Sequence, residues 1–351
     1  MVKAAAEALK TTVEAVRDAY APDPRLAVFE VTIEVRDEGI ALVGACSELD
    51  ALAELRHALA QASPLVSILD EIQTLPEAGP DELVHALVSA AVAPMLAGAR
   101  VAETQVSQVV LGNRLVVLRS RGRWLQCRSP DGYIGWIHAG YVALMDESAA
   151  RAWETGADGD AVISLGAEVL DDRGETIMRL PWGARAVRLG ADAVRLPDGR
   201  VGRPEGELVA AAVRPLAFPA EGAAMCATAT RWLGVPYLWG GVTHGGVDCS
   251  GLVQAVYRLH GHVLPRDSDQ QSRAGREIDP GPEFESLRPG DLCFFTEDPG
   301  RVTHVVMSTG GPEIIHASLG NGGVARNSLV GRRSYERELR RIFHCARRFF
   351  D

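Results

Sequence analysis

From Val84 to Met145 glycine punctuates the chain. Leu111-Gly112, Gly122-Arg123-Trp124 and Gly132-Tyr133-Ile134-Gly135-Trp136-Ile137 divide it into strand-like runs of about five residues. Strands this short and this regularly turned suit a small closed barrel, and the tryptophans are large enough to fill such a core. Residues 160–213 repeat the style more faintly, with a turn or strand boundary roughly every 8–10 residues, which predicts a second, degenerate barrel. Arg214-Pro215 to Pro219 reads as a linker into a last unit.

Ahead of the barrels the pattern is mixed. Residues 1–20 read as an amphipathic helix, and Phe29–Arg36 alternates strictly, with Phe29, Val31, Ile33 and Val35 on one face of a half-buried strand. Asp37-Glu38-Gly39 makes a turn, Ile40–Cys46 a second strand, Ser47 caps a helix to about Ala62, and Val66–Leu75 is a third strand. This αββαβ order resembles a BON-type module, although an unrelated small α/β appendage satisfies the same pattern. The Val84–Met145 segment resembles a bacterial SH3 (SH3b) barrel. The chain thus divides into residues 1–82, 83–150, 151–215 and 216–351.

The chain has 351 residues, 47% hydrophobic and 23% charged, with a formal net charge of −10. Such a composition is that of a folded, soluble protein, and the charge argues against nucleic acid as a partner. No stretch of ~18 apolar residues is present, which excludes a membrane-spanning helix. The N-terminus lacks the apolar core of a secretory signal, so a cytoplasmic location is expected if Met1 is the native start; a processed precursor is the alternative. The cysteines Cys46, Cys127, Cys226, Cys249, Cys293 and Cys345 are scattered, with no CxxC spacing, as expected of reduced thiols of which at most one or two are reactive.

The chemistry concentrates near the C-terminus. Asp248-Cys249-Ser250-Gly251 leads into Leu252, Val253, Val256 and Leu259, an apolar helical face ended by Gly261. Asp248 is the expected N-cap, which puts Cys249 in the first turn. There, free N–H groups and the helix dipole are expected to lower the thiol pKa from ~8.5 toward neutrality and to hold an oxyanion. Downstream, residues 302–307 and 313–318 read as strands around the turn Ser308-Thr309-Gly310-Gly311-Pro312. If the hairpin folds about Gly310, His304 and His316 face each other directly, with Cβ atoms ~4.5–5.5 Å apart. His304 is then the base and His316 the group that fixes its tautomer. His260 and His262 form an HxH without a supporting carboxylate or cysteine cluster and are read as surface or core histidines, not metal ligands.

Six motifs in order now identify a resemblance. They are Pro236-Tyr237-Leu238-Trp239-Gly240-Gly241, Asp248-Cys249-Ser250-Gly251-Leu252-Val253, Leu264-Pro265-Arg266-Asp267-Ser268, Leu287-Arg288-Pro289-Gly290-Asp291-Leu292, Thr303-His304-Val305 and Ile315-His316-Ala317. Over roughly residues 220–350 the chain resembles the NlpC/p60 family of papain-like cysteine peptidases. The expected fold is therefore α+β and multi-domain, with a papain-like catalytic domain behind two SH3-like barrels and the αββαβ module.

The resemblance implies Cys249 as nucleophile, His304 as base, His316 as orienting residue, and Tyr237 beside the thiolate. SH3b barrels ahead of such a domain resemble the murein-peptide recycling enzymes, which hydrolyse the γ-D-glutamyl–L-diamino acid bond of stem peptides bearing a free N-terminal L-Ala. That resemblance assigns Asp267 and Ser268 to the substrate ammonium, with Tyr133 reaching across from the first barrel and Glu103 as a further acidic partner. Asp267 could instead simply cap a helix. No cofactor or metal is needed, and the expected partner is a murein-derived peptide, with neither nucleic acid nor membrane. The alternatives are a non-catalytic binder of wall fragments and an exported hydrolase of intact peptidoglycan.

Overall fold

A computed structural model describes residues 2–36, 39–62, 68–77, 83–155, 160–297 and 300–350. The N-terminal unit runs α1 (Val2–Tyr20), β1 (Thr32–Arg36), β2 (Gly39–Cys46), α2 (Leu49–Ala62) and β3 (Ile68–Thr74). The central β2 is antiparallel to β1 and parallel to β3. Leu9, Val13 and Val16 from α1 and Leu52, Leu55 and Leu59 from α2 close over Ile40, Leu42 and Ile72.

The element order is the expected αββαβ, with two local differences. Of the strand expected over Phe29–Arg36, Phe29 makes only an isolated bridge to Cys46, and Val35 is exposed. The Ser47 hydroxyl does not serve the helix: it accepts the Val28 N–H (2.9 Å) and Arg128 Nη2 (3.1 Å), tying this unit to the next. Asp37 and Glu38 of the expected turn, Val66 of the expected strand and the boundary at residue 82 lie outside the described residues.

The first barrel comprises β4 (His85–Val88), β5 (Val92–Leu96), β6 (Gln105–Val110), β7 (Arg114–Arg121), β8 (Trp124–Arg128), β9 (Ile134–His138) and β10 (Val142–Met145), in the antiparallel order β10-β4-β7-β8-β9-β5-β6. Its core is aliphatic and sulfur-bearing, including Met95, Leu115, Leu125, Cys127 and Ile137, rather than tryptophan-filled. Trp136 is buried beneath the guanidiniums of Arg119 and Arg121, and Trp124 sets its ring edge against His138.

After α3 (Glu147–Thr155) come β11 (Ala161–Leu170), β12 (Thr176–Leu180), β13 (Arg185–Leu189), β14 (Ala193–Arg195) and β15 (Val201–Ala210). The first half of β11 pairs with β13 and the second with β12, while β15 spans both halves across a bulge between Ser164 and Ala167. A bend of this kind lets one long strand close a small barrel. The expected linker is a fastening instead. It contains the short helix α4 (Arg214–Ala217), Arg214 Nη1 donates to the Leu259 carbonyl (3.0 Å), and Phe218 packs on the last unit's core.

The last unit runs α5 (Gly222–Thr230), β16 (Val242–Thr243), β17 (Gly246–Val247), α6 (Cys249–Leu259), α7 (Ser268–Gln271), β18 (Arg276–Ile278), β19 (Leu292–Phe295), β20 (His304–Gly310), β21 (Glu313–Ser318), β22 (Gly323–Ser328), α8 (Ser334–Arg341) and β23 (Phe343–Arg348). Its six-stranded sheet has the order β18-β23-β19-β20-β21-β22. Leu252, Val253 and Val256 seat α6 on Val305, Met307 and Ile315 of the sheet, which brings the start of α6 to the strands bearing His304 and His316. Among the described residues no helix is long and apolar enough to cross a membrane.

Candidate active site

Asp248 caps α6. Its Oδ1 accepts the Gly251 N–H (2.6 Å), and its Oδ2 accepts the Gly240 N–H (2.8 Å). Glycine is required at 251 because a Cβ there would meet the Gly241 carbonyl oxygen at 2.2 Å. Arg266, 1% exposed, grips the same carboxylate through Nη1 (3.1 Å) and Nη2 (2.7 Å), and its Nε donates to Ser107 Oγ of the first barrel (2.9 Å). A buried bidentate pair of this kind holds the cap, and with it Cys249, in one position. Arg266 belongs to the Leu264-Pro265-Arg266-Asp267-Ser268 motif, but its position in the sequence does not announce this role.

The histidines meet, by a route other than the expected one. Met307 pairs with Ile315 and Ser308 with Ile314, with a bulge before Gly310, so the hairpin register is two residues away from the expected one. That register sets Val306 opposite His316 and makes His304 its diagonal neighbour. An even offset keeps both rings on one face, and imidazoles are long enough to span the diagonal. His304 Nε2 and His316 Nδ1 are 2.8 Å apart.

Behind them, His316 Nε2 lies 3.0 Å from Asn327 Oδ1, to which Asn321 Nδ2 also donates (2.8 Å). The Tyr335 ring stacks parallel on His316, with centroids 6.0 Å apart. These contacts fix the protons. His316 Nε2–H donates to Asn327, so its Nδ1 must accept from His304 Nε2–H, leaving His304 Nδ1 with a free lone pair. Asn327 was not foreseen: it sits on a third strand, and nothing in its spacing from His316 announces it before the register is known.

The electrostatics correct one expectation. Burial, and next the Asp248 charge, push the Cys249 thiol up to about 12, although the Val305 and Ser250 N–H groups pull the other way. Burial and the neighbouring His316 hold His304 well below its ordinary value, and burial takes His316 down to about 4. Burial thus disfavours charge on both the thiol and the imidazole. Loss of bulk water outweighs the helix N-terminus that was expected to ionise the sulfur.

Cys249 and His304 open onto a cleft of about 710 Å³, also lined by Tyr237, Tyr133, Asp267, Ser268 and Arg25. Burial raises the Tyr237 hydroxyl's pKa. Tyr133 reaches across from the first barrel and donates to Asp267 Oδ2 (3.1 Å). Asp267 also occupies the cap position of α7, its N–H donating to Gln270 Oε1 (3.2 Å), and burial raises its carboxyl pKa despite Arg266 and Arg25 nearby.

Glu103 is not brought to the cleft. Its carboxylate is taken by Arg100 beside it, with Nε at 2.8 Å. Arg25 is the residue that sequence reasoning missed: it lies 242 positions before Asp267, yet Nη1 is 2.8 Å from Asp267 Oδ2. His260 of the HxH is engaged by the Pro219 carbonyl (2.6 Å) and the Thr228 hydroxyl (2.8 Å).

Residues 234–342 match the NlpC/P60 family, and residues 92–143 match the bacterial SH3 domain. Gamma-D-glutamyl-L-lysine dipeptidyl-peptidase of Bacillus subtilis (strain 168) is 25% identical over 263 residues, covering 68% of this chain and 80% of the relative. Its Bacillus cereus namesake is 28% identical over 230 residues, covering 60% of this chain and 66% of the relative. The crystal structure of an NlpC/P60 family protein from Bacillus cereus shares the fold with a TM-score of 0.61 at 22% identity, over 75% of this chain and 99% of that one. This chain carries an NlpC/P60 domain behind a bacterial SH3 domain.

Proposed function

We propose that this chain is a cysteine endopeptidase that hydrolyses the γ-D-glutamyl–L-diamino acid bond of murein stem peptides with a free N-terminal L-Ala, acting in recycling of released wall peptides. The observation that supports the reading is the cleft lined by both Cys249 and His304, with His304 Nε2 2.8 Å from His316 Nδ1 and His316 Nε2 3.0 Å from Asn327 Oδ1. The relatives named gamma-D-glutamyl-L-lysine dipeptidyl-peptidase support the bond type.

In this mechanism Sγ attacks the γ-glutamyl carbonyl while the thiol proton passes to His304 Nδ1. The N–H groups at the start of α6 receive the developing oxyanion. The imidazolium then protonates the departing amine, leaving a thioester. Water, deprotonated by His304, hydrolyses that thioester and restores the thiol. His316 and Asn327 keep the base's ring turned throughout, and none of these steps needs a cofactor or metal.

The test is hydrolysis of L-Ala-γ-D-Glu-diaminopimelate and its lysine counterpart, read by mass spectrometry. Cys249→Ala is expected to lower turnover at least about a thousand-fold with the fold intact. Normal turnover in that variant refutes the reading.

A further inference from the structure

The segment between α1 and β1 brings Arg25 to the lining of the cleft and is pinned from both sides. The Arg25 carbonyl accepts the Ile134 N–H (2.7 Å), and the Leu26 carbonyl accepts Arg128 Nη2 (3.3 Å), both from the first barrel. From the last unit, Gln270 Nε2 donates to Asp23 Oδ2 (2.8 Å).

Between these anchors the Arg25 guanidinium uses all five of its N–H donors on carboxylates. Nε and Nη2 take Asp23 at 2.9 and 2.8 Å; Nη1 and Nη2 take Asp269 at 2.7 and 2.8 Å; Nη1 takes Asp267 at 2.8 Å. No donor remains for a substrate carboxylate, so this arginine is not an anion receptor.

The charges do not cancel. Arg273 also pairs with Asp269 (2.6 Å), while Arg266 near Asp267 is already paired with Asp248, so Asp23, Asp267 and Asp269 are left with two guanidiniums and one negative charge is left over. Asp267 is the one of the three that also meets Tyr133 and lines the cleft beside Ser268. An α-ammonium supplies the missing charge. An acyl group on that nitrogen would have to enter space that the guanidinium and its three carboxylates fill.

We infer that Arg25, contributed by the N-terminal unit, is a specificity-determining residue of the cleft: its fully engaged guanidinium builds the end wall that stops a peptide at a free amino terminus. The inference rests on the peptide-hydrolase reading above. It assigns the N-terminal unit a function in substrate selection.

The test compares kcat/KM for L-Ala-γ-D-Glu-diaminopimelate and its N-acetylated form in the wild type, Arg25→Ala and Arg25→Met. The wild type is expected to prefer the free amine by about a hundred-fold or more. In Arg25→Ala that preference should fall at least about tenfold, through gained cleavage of the acetylated peptide. A residue that merely fastens two units would lower stability and leave the preference alone. Arg25→Met keeps the aliphatic stem and deletes the five donors, and carries the same test should Arg25→Ala not fold.

Undiminished preference in a folded variant overturns this inference and leaves the hydrolase reading standing. Equal wild-type cleavage of both peptides overturns the inference together with the free-amine and recycling part of the proposed function, and leaves the hydrolase reading standing. Absence of wild-type cleavage of either peptide overturns both.

Discussion

Burial disfavours charge on both Cys249 and His304, and that has measurable consequences. A thiol pushed up to about 12 by burial is scarcely ionised at neutral pH, and its thiolate fraction grows about tenfold per pH unit. Alkylation of Cys249 by iodoacetamide is therefore expected to be slow at pH 7 and to climb steadily through pH 9. A rate already on a plateau at pH 7 would mean a resting thiolate–imidazolium pair instead. His316 supplies a second pH effect. Its folded value of about 4 lies below the ~6.5 of an unfolded chain, so between those values the unfolded state binds the extra proton. Stability present above pH 6.5 should drain as pH falls to 4, by on the order of 3 kcal/mol, and denaturation midpoints of His316→Gln should lose that part of the slope. Asn327→Ala removes the acceptor that holds the tautomer of His316. It should reduce kcat about a hundred-fold with little change in KM, measured on the free tripeptide.

At the level of elements, α6 is placed by its first turn and by its apolar face together. Asp248 supplies the cap, Gly251 permits the approach of the Gly241 carbonyl, and Arg266 neutralises the cap's charge where water is absent. Truncating Arg266 would leave that carboxylate buried and alone. Arg266→Ala should cost about 3–5 kcal/mol in urea unfolding, a loss that would be smaller if the pair were wet. The β20–β21 hairpin shows how far local patterning reaches. Alternation of His304 and His316 with apolar neighbours fixed which face they share, whereas the register depended on a bulge at Ser308–Gly310 that glycine-rich turns allow but do not dictate.

Across the whole molecule the units share cores. Ile163, Leu165 and Trp182 of the second barrel are buried with Trp232, Val253 and Tyr257 of the last unit, and the Trp182 and His244 rings lie 5.1 Å apart. Trp182→Ala should cost about 3–5 kcal/mol and lower the melting of both units together; separate transitions with only the barrel affected would show that they unfold independently. The capped helix, the cysteine in its first turn, the two histidines on one face and the barrel segments were legible in the sequence, because each rests on periodicity or on contacts between near neighbours. Asn327, Arg266's grip on Asp248 and Ser107, the idle position of Glu103 and above all Arg25 were not. Each depends on which surfaces meet after folding, and a guanidinium 242 residues upstream leaves no local trace of the carboxylate it will pair with. Tertiary structure also decided the surroundings of the sulfur: the sequence placed it at a helix N-terminus, but only packing determined how much water it would lose.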